Sequence, residues 1–311
     1  PTLARIKGLQ HAIREATSLI VRSIGIKNFL SVLPLIQSEQ QIGIYESKSW
    51  LIEILRENGA YVPSELTYFF GVLIPIIENC LSASRNPNLS EIDRNHQKLK
   101  AEQIWGLLPV FFLNSVDLPE NSEHICHFLG KKLCEDNPKI TMHICRGLVN
   151  LVDFAEQSKN ETNLNCIGKI GTHFLPVLIN FEFKGASKDD NLVYEKLKTL
   201  KDAIRSLVRI VPRITILNLL GKLLKKLLIA SENGTKLLSC ALMMDAVSSL
   251  VVHSDEEGAH LVFKTCKFFL GVKPKETQFC KAMYKVLHCL CEAHGSLLAE
   301  AEFFDEMAEF V

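Results

Sequence analysis

Apolar residues recur at helical spacing along this chain. In the first segment they occupy every third or fourth position, at Ile6, Leu9, Ile13, Ala16, Ile20 and Ile24. Residues spaced in this way lie on one face of an α-helix. The same period returns in residues 197–211 and 214–227, and no stretch shows the sustained alternation with hairpin turns that is typical of a sheet. The sequence therefore predicts an all-α fold.

Glycine, proline and polar clusters divide this pattern into about fourteen helices. We predict them at residues 3–24, 26–36, 44–58, 64–82, 91–113, 120–135, 138–157, 163–182, 191–211, 213–229, 234–252, 255–271, 275–293 and 297–310. This number of helices makes about seven pairs of about 44 residues, a repeat length typical of HEAT and armadillo units. The prediction is a HEAT/armadillo-type α-solenoid.

Residues 1–311 are predicted to form a single solenoid segment. The polar stretches 82–95 and 183–191 are the best candidates for linkers, but a helical pattern of the same kind resumes after each, so neither is predicted to be a domain boundary. Since the chain starts at Pro1 without an initiator Met, we expect it to be an excerpt of a longer protein.

Five prolines follow pairs of apolar residues, and they mark the proposed repeats. They are Pro34, Pro75, Pro109, Pro176 and Pro212. Proline lacks a backbone donor and clashes with the preceding turn, so each is expected to kink or end a helix. The alternative is that these prolines are scattered at loop edges.

Composition excludes several classes of protein. The 35 basic and 35 acidic residues cancel, which argues against a uniformly basic nucleic-acid-binding surface. The longest apolar runs, 66–77 and 104–113, contain glycine and proline and are shorter than the roughly 18 uninterrupted residues that a membrane helix needs. We therefore expect a soluble protein that does not contact a membrane.

The ten cysteines lie mostly inside apolar helical stretches and lack the spacing of a disulfide framework. A reducing compartment is expected. Two groups of histidine and cysteine suggest zinc: His124, Cys126, His127, Cys134, His143 and Cys145, and then His288, Cys289, Cys291 and His294. Neither group has the paired spacing of a zinc site, so we predict reduced thiols, no metal and no cofactor.

Sequence blocks in a fixed order carry a family resemblance. Residues 50–55 read Trp-Leu-Ile-Glu-Ile-Leu, 68–75 read Tyr-Phe-Phe-Gly-Val-Leu-Ile-Pro, and 103–109 read Gln-Ile-Trp-Gly-Leu-Leu-Pro. The match continues through Cys-Arg-Gly-Leu at 145–148 and His-Phe-Leu-Pro-Val-Leu at 173–178. In these blocks the chain resembles the ribosomal-RNA-processing protein twelve family, most firmly between residues 50 and 180.

The resemblance departs from the family pattern after the third block. The family usually continues with Gly-Phe-Cys and a later Pro-Thr-Asp, whereas this chain has Val110-Phe111-Phe112 and then Val116-Asp117. The chain is therefore expected to be a divergent member. Membership implies a large nucleolar and nuclear HEAT-repeat factor that associates with pre-ribosomal particles, pre-ribosomal RNA and assembly factors. It further implies a role in RNA processing and small-subunit export, with shuttling to the cytoplasm left open.

No motif for catalysis is present. The chain lacks a Gly-x-Ser-x-Gly elbow, a His-Glu-x-x-His pair and a phosphate-binding glycine loop, and the family implies no catalytic residue. We predict that it is not an enzyme and has no small-molecule substrate. Four aromatic pairs, at 69–70, 111–112, 268–269 and 303–304, fit stacking platforms for unpaired bases or core packing, and core packing is favoured.

A local excess of positive charge is the candidate site. Between residues 196 and 226 nine basic residues accompany a single acidic one, Asp202. The nine are Lys196, Lys198, Lys201, Arg205, Arg209, Arg213, Lys222, Lys225 and Lys226. Helical spacing places four of them, at positions 198, 201, 205 and 209, away from the apolar face. They are predicted to contact RNA phosphate or an acidic assembly factor; the alternative is a solvated helix face.

Two functions fit a solenoid with this site. The first is a scaffold for an RNA-containing particle, and the second is a solenoid that carries protein cargo, like a transport receptor. Both use long binding surfaces. A scaffold is expected to bind pre-ribosomal particles with a steep salt dependence, whereas a transport receptor is expected to bind a small nuclear GTPase and Phe-Gly peptides.

Overall fold

The computed structural model describes residues 2–37, 46–47, 49–135, 137–184, 191–232, 237–272 and 277–300. The first nine helices are α1 (Thr2–Ile24), α2 (Ile26–Val32), α3 (Ser49–Asn58), α4 (Leu66–Tyr68), α5 (Ile74–Ser84), α6 (Glu91–Trp105), α7 (Leu108–Leu113), α8 (Leu118–Cys134) and α9 (Pro138–Ser158). The next six are α10 (Glu161–Lys184), α11 (Asn191–Val208), α12 (Arg213–Glu232), α13 (Leu237–Val251), α14 (Glu256–Val272) and α15 (Thr277–Glu300).

The all-α prediction is confirmed. A 3₁₀ turn (Gly59–Tyr61) and a π turn (Phe69–Leu73) connect helices. In the described residues, the only strands are β1 (Ile36–Gln37) and β2 (Glu46–Ser47). They pair antiparallel with Ile36 opposite Ser47, and such a short ladder does not make a sheet-based fold.

Contacts within the chain divide it into two compact units, Pro1–Cys166 and Ile167–Val311. The division falls inside α10. The prediction of one solenoid segment over residues 1–311 stays a prediction, and the two units are described separately.

In the first unit each helix of one layer packs on the next helix of that layer. This layer runs from α1 to α3, α6 and α9. Helix α5 packs against α6, and α7 packs against α9. Its interior is aromatic: Trp105, Phe69, Phe111 and Phe112 are fully buried. This packing confirms the core interpretation for the aromatic pairs 69–70 and 111–112.

In the second unit the odd-numbered helices form the corresponding series. Helix α13 packs on α11 and on α15, while α12 packs on α13 and α14. In the third aromatic pair Phe269 is buried and Phe268 is exposed. The fourth pair, 303–304, lies outside the described residues.

Several predicted helix boundaries need correction. Residue 36, predicted in the helix 26–36, belongs to β1, and residues 46–47, predicted in the helix 44–58, form β2. The helix predicted at 91–113 is two helices, because α6 ends at Trp105 and α7 begins at Leu108. The backbone oxygen of Gly106 accepts a hydrogen bond from Arg56 Nε at 3.2 Å, and a Cβ at Gly106 would collide with that guanidinium group. The break therefore lets a helix end receive a cation from the preceding repeat.

The apolar run that begins at Leu66 is helical through to Ser84, which agrees with the helix predicted at 64–82; Gly71 and Pro75 interrupt the apolar run in the sequence but not the helix. This 19-residue helix has a mean hydropathy of 1.5 and is long and apolar enough to cross a membrane. Its side chains Leu66, Phe69 and Leu73 are buried, so packing in the core accounts for the same apolar character.

The marker prolines occupy three kinds of position. Pro34 follows the end of α2, and Pro212 directly precedes α12. Pro109 lies in the first turn of α7, where the missing N–H costs no helical hydrogen bond. Pro75 lies in the first turn of α5, just after the π turn Phe69–Leu73 of the same helical run. Pro176 lies inside α10, so at this position the proline does not end the helix.

A break predicted between 293 and 297 is present as a kink in α15. His294 has φ −132° and ψ 27°, outside helical values. Its Nε2 atom lies 2.9 Å from the backbone oxygen of Val251, which fixes the kink to the end of α13. The remainder of the helix predicted at 297–310 lies outside the described residues beyond Glu300.

Candidate nucleic-acid interface

Helix α11 separates apolar from basic side chains. Leu200, Ile204 and Leu207 are buried, whereas Lys198 and Arg205 on its other side are exposed. Arg209 is also exposed, in the turn that follows the helix. The three exposed cations are therefore placed as the helical spacing predicted.

Two of the predicted site residues differ from that expectation. Lys196 is buried, with 7% of its surface exposed, so it is removed from the candidate interface. Lys201 is partly buried and its Nζ atom lies 2.8 Å from Asp245 Oδ2 of α13. Helical spacing placed Lys201 outward, whereas Lys196 was included because it belongs to the basic run. Neither criterion shows which neighbouring helix covers a side chain.

Asp245 is shared by two cations. Lys285 Nζ of α15 lies 2.8 Å from its second oxygen, Oδ1. Burial raises the pKa of the Asp245 carboxyl, but hydrogen bonds from Lys201 and Lys285 outweigh this effect, and its pKa lies below the usual value. The cluster has two positive charges for one negative charge. The estimate that the basic run faced only Asp202 was therefore incomplete.

The arginines extend the same positive surface. Arg205 Nη1 lies 3.7 Å from Asp202 Oδ1, and both side chains are about half exposed. Burial raises the pKa of Cys289 on α15, while the charges of Lys285 and Arg205 oppose this increase. Burial and then Arg209 lower the pKa of His253. We name Lys198, Lys201, Arg205, Arg209 and Lys285 the basic ridge.

The α12 lysines belong to a different surface. Lys222, Lys225 and Lys226 line a cavity of about 400 Å³ between α12 and the part of α10 in the second unit. Lys226 Nζ donates a hydrogen bond to Asn180 Oδ1 at 3.4 Å. Arg213, the first residue of α12, is exposed. The nine predicted residues therefore divide between a ridge, a groove, an exposed helix start and one buried site.

The spacing of partners along the chain reveals the residues that the sequence analysis missed. Lys201 and Asp245 are 44 residues apart, and Asp245 and Lys285 are 40 apart. The Arg14–Glu57 pair has a separation of 43. These separations match one helical repeat. A search for opposite charges one repeat apart would have identified Asp245 and Lys285.

A carboxylate that the family resemblance singled out has a structural role. Asp117 accepts hydrogen bonds from the backbone N–H groups of Leu66 and Thr67 at 2.7 and 2.8 Å, and from the Thr67 hydroxyl. Burial raises the pKa of Asp117, but these hydrogen bonds reverse the effect and lower it. The turn after α7 thus caps the start of α4, and this explains why the Asp can persist when the neighbouring residues differ.

The histidine and cysteine groups do not converge. Within the described ranges, no set of three or more His, Cys, Asp and Glu side chains is placed to hold a metal ion. His124 instead packs against Phe70 with 4.9 Å between ring centroids, and His288 lies 3.3 Å from Glu292. All ten cysteines are described, and each is a thiol. The expectation of no zinc stays a prediction.

Helices that bind the next pair through contacts one repeat apart define a HEAT-repeat protein. The family model described as Ribosomal RNA-processing protein 12, HEAT repeats, matches residues 6–183. The chain belongs to this family, which confirms the resemblance read from the sequence blocks. Family membership implies a role in ribosome biogenesis; the family is nucleolar in general and typically non-catalytic. The comparison with curated proteins finds no match.

Proposed function

We propose that this chain is a non-catalytic scaffold segment that associates with precursors of the small ribosomal subunit. In this proposal it supports pre-ribosomal RNA processing and subunit export from the nucleolus and nucleus, and it shuttles to the cytoplasm with the particle. It uses no cofactor and has no small-molecule substrate. Family membership supports the ribosomal context, and the basic ridge supports a contact with RNA.

The RNA contact is assigned to the exposed cations of α11. Lys198, Arg205 and Arg209 lie on the solvent side of a helix whose apolar face is buried, so they can reach a phosphate without disturbing the core. Arginine can bind a phosphate through two parallel hydrogen bonds. Lys201 and Lys285 are held by Asp245 and contribute a fixed positive field next to those exposed groups.

The observation that carries this proposal is the imbalance of charge on the ridge. Five cations lie on the ridge, and the ion pairs of Lys201, Lys285 and Arg205 join them to Asp245 and Asp202. A surface of mixed sign is the usual arrangement for solubility. A ridge with excess positive charge next to a polyanion gains affinity by releasing counterions from the phosphates.

Cofractionation on a sucrose gradient tests the proposed association. The protein that contains this chain is expected to sediment with small-subunit precursors, and the precursor is expected to be recovered with the tagged protein. Sedimentation apart from all ribosomal precursors, together with binding to a small nuclear GTPase and Phe-Gly peptides, would instead support the transport-receptor function.

A further inference from the structure

The groove between α10 and α12 combines an apolar floor with a positive rim. Five apolar residues line it: Pro176 and Ile179 from α10, and Leu219, Leu223 and Ile229 from α12. Nearly half of the Ile229 side chain, 47%, is exposed to solvent. The cavity of about 400 Å³ is large enough to take bulky apolar side chains.

Three lysines of α12 line the same groove beside its apolar residues. Lys222, Lys225 and Lys226 are all exposed, and of the described residues that line the cavity none is acidic. Lys226 is held toward α10 by its hydrogen bond to Asn180. A binding partner that fills the floor would therefore meet positive charge at its edge.

The shape of the groove favours a helical partner. The lining positions of α12 run from Leu219 to Ile229 at spacings of three and four, and ten residues of helix extend about 15 Å. Two to three turns of a second helix fit along that length, with apolar anchors at helical spacing pointing into the groove.

We propose that this groove binds an acidic amphipathic helix of a partner protein. Leucine or phenylalanine side chains of that helix occupy the floor formed by Pro176, Leu219 and Ile229, and its glutamate or aspartate side chains pair with the three lysines. The inference does not rest on the proposed RNA contact, because the groove and the basic ridge have no cation in common. It assigns the α12 lysines to a protein partner and leaves the α11 cations to RNA.

Fluorescence polarisation with a designed peptide tests this assignment. The probe is a labelled helical peptide of about 15 residues, near the shortest length for a stable isolated helix, with leucine at helical spacing and glutamate beside it. Two control peptides replace the leucines with serine or the glutamates with glutamine. The parent chain is expected to bind the probe and to bind both control peptides more weakly.

Variants of the chain separate the floor from the rim. K222E/K225E/K226E is expected to weaken probe binding about tenfold or more, because each ion pair is lost and replaced by repulsion. I229S is expected to weaken it about fivefold by removing apolar contact. The matched control R85E/K98E/K131E changes three exposed cations of the first unit and is expected to stay within about twofold of the parent.

Each other outcome contradicts the proposal. Equal affinity of the parent, K222E/K225E/K226E and I229S for the probe would show that the peptide does not occupy the groove. Loss of single-stranded RNA binding in K222E/K225E/K226E, with peptide binding unchanged, would assign the lysines to RNA instead. Circular dichroism of each variant verifies that its helical content equals that of the parent.

Discussion

The two compact units place their basic side chains differently. In the first unit, Lys139 Nζ lies 2.7 Å from Glu102 Oε1 of the preceding repeat, and Arg56 donates hydrogen bonds to the backbone oxygens of Gln103 and Gly106. In the second unit, Lys201 makes a comparable contact with Asp245. Lys198 and the α12 lysines are instead exposed to solvent. Both units use cations to hold repeats together and leave others exposed, such as Lys98 and Lys131 in the first unit, but the second unit gathers its exposed cations on α11 and α12.

This difference shows what a run of charge means in a repeat protein. Residues one repeat apart meet on neighbouring helices, so the partner of a cation lies about 40 residues away. The run 196–226 contains one acidic residue, yet Asp245 from the next repeat neutralises part of it. Exposure and repeat-spaced pairing together therefore decide which cations of the run can reach a ligand.

The largest expected effect is a pH dependence in the first unit. Burial, followed by the charges of Arg56 and Arg146, lowers the pKa of His143 from 6.5 to about 4. Between these values the unfolded chain binds a proton that the folded chain does not. The free energy of unfolding is therefore highest above pH 6.5. It falls as the pH falls toward 4, and His143 can lower it by at most about 3 kcal/mol.

Urea unfolding followed by tryptophan fluorescence measures this loss, since both tryptophans, Trp50 and Trp105, belong to the first unit. The variant H143Q is expected to be less sensitive to pH between 6.5 and 4. The variant H127Q changes an exposed histidine on α8 and serves as the control. An equal pH dependence in H143Q and the parent would show that His143 is not the titrating group.

The next largest effect is expected at two glycines, one of which has no space for a Cβ atom while the other has. A Cβ at Gly147 of α9 would lie 2.5 Å from a ring carbon of Phe112, which is fully buried. G147A is expected to destabilise the first unit by about 1–3 kcal/mol through overpacking. Tryptophan fluorescence during urea unfolding checks this.

The matched variant is G221A on α12, where a Cβ meets nothing within 4 Å. Because alanine favours a helix interior, G221A is expected to stabilise the second unit by up to about 1 kcal/mol. Far-UV circular dichroism during thermal unfolding checks this. If G147A and G221A changed the free energy of unfolding in the same direction, Gly147 and Gly221 would not differ in packing as the structure indicates.

A smaller effect is expected at Asp245. The variant D245N removes the carboxylate that Lys201 and Lys285 share and is expected to cost about 1–2 kcal/mol. The lowered pKa of Asp245 means that its stabilisation is present above the unfolded pKa of about 3.8 and is lost as the pH falls through the folded value. Chemical unfolding of D245N and of the exposed control D202N at neutral pH distinguishes the two carboxylates. A loss as large in D202N as in D245N would refute the special role of the shared group.

The smallest effect is expected at an exposed pair of the first unit. Lys139 and Glu102 have side chains 47% and 29% exposed, so K139A is expected to cost about 0.5 kcal/mol and less in high salt. Tryptophan fluorescence during urea unfolding at two salt concentrations measures it. If K139A destabilised the protein more than D245N does, the exposed Lys139–Glu102 pair would be the stronger of the two contacts, contrary to this expectation.

The helical fold could be predicted because apolar periodicity is a local property. The residues 200, 204 and 207 were correctly assigned to the buried face of α11, and the kink near His294 was anticipated from the break in the pattern. The end of α6 at Trp105 was missed because the apolar pattern continues through Gly106. At the break Gly106 contacts Arg56, 50 residues earlier, and a local pattern does not contain this contact.

The candidate site could be predicted only in part for the same reason. Charge and period placed Lys198, Arg205 and Arg209 outward correctly. The burial of Lys196 and the contact of Lys201 with Asp245 depend on helices that follow later in the chain. The separation of the α12 lysines into a groove depends on how α10 packs against α12, which a local pattern does not contain.

The salt dependence of RNA binding tests the central claim most directly. The variant K198A/R205A/R209A removes three exposed cations of the ridge and leaves the Lys201–Asp245–Lys285 contacts in place, and R85A/K98A/K131A is its control from the first unit. Binding of single-stranded pre-ribosomal RNA is measured across a range of salt concentrations. We expect the ridge variant to bind more weakly and its slope of log affinity against log salt to flatten by about 0.7 for each lost phosphate contact. If the ridge variant has the same affinity and slope as the parent, the exposed cations of α11 do not contact RNA.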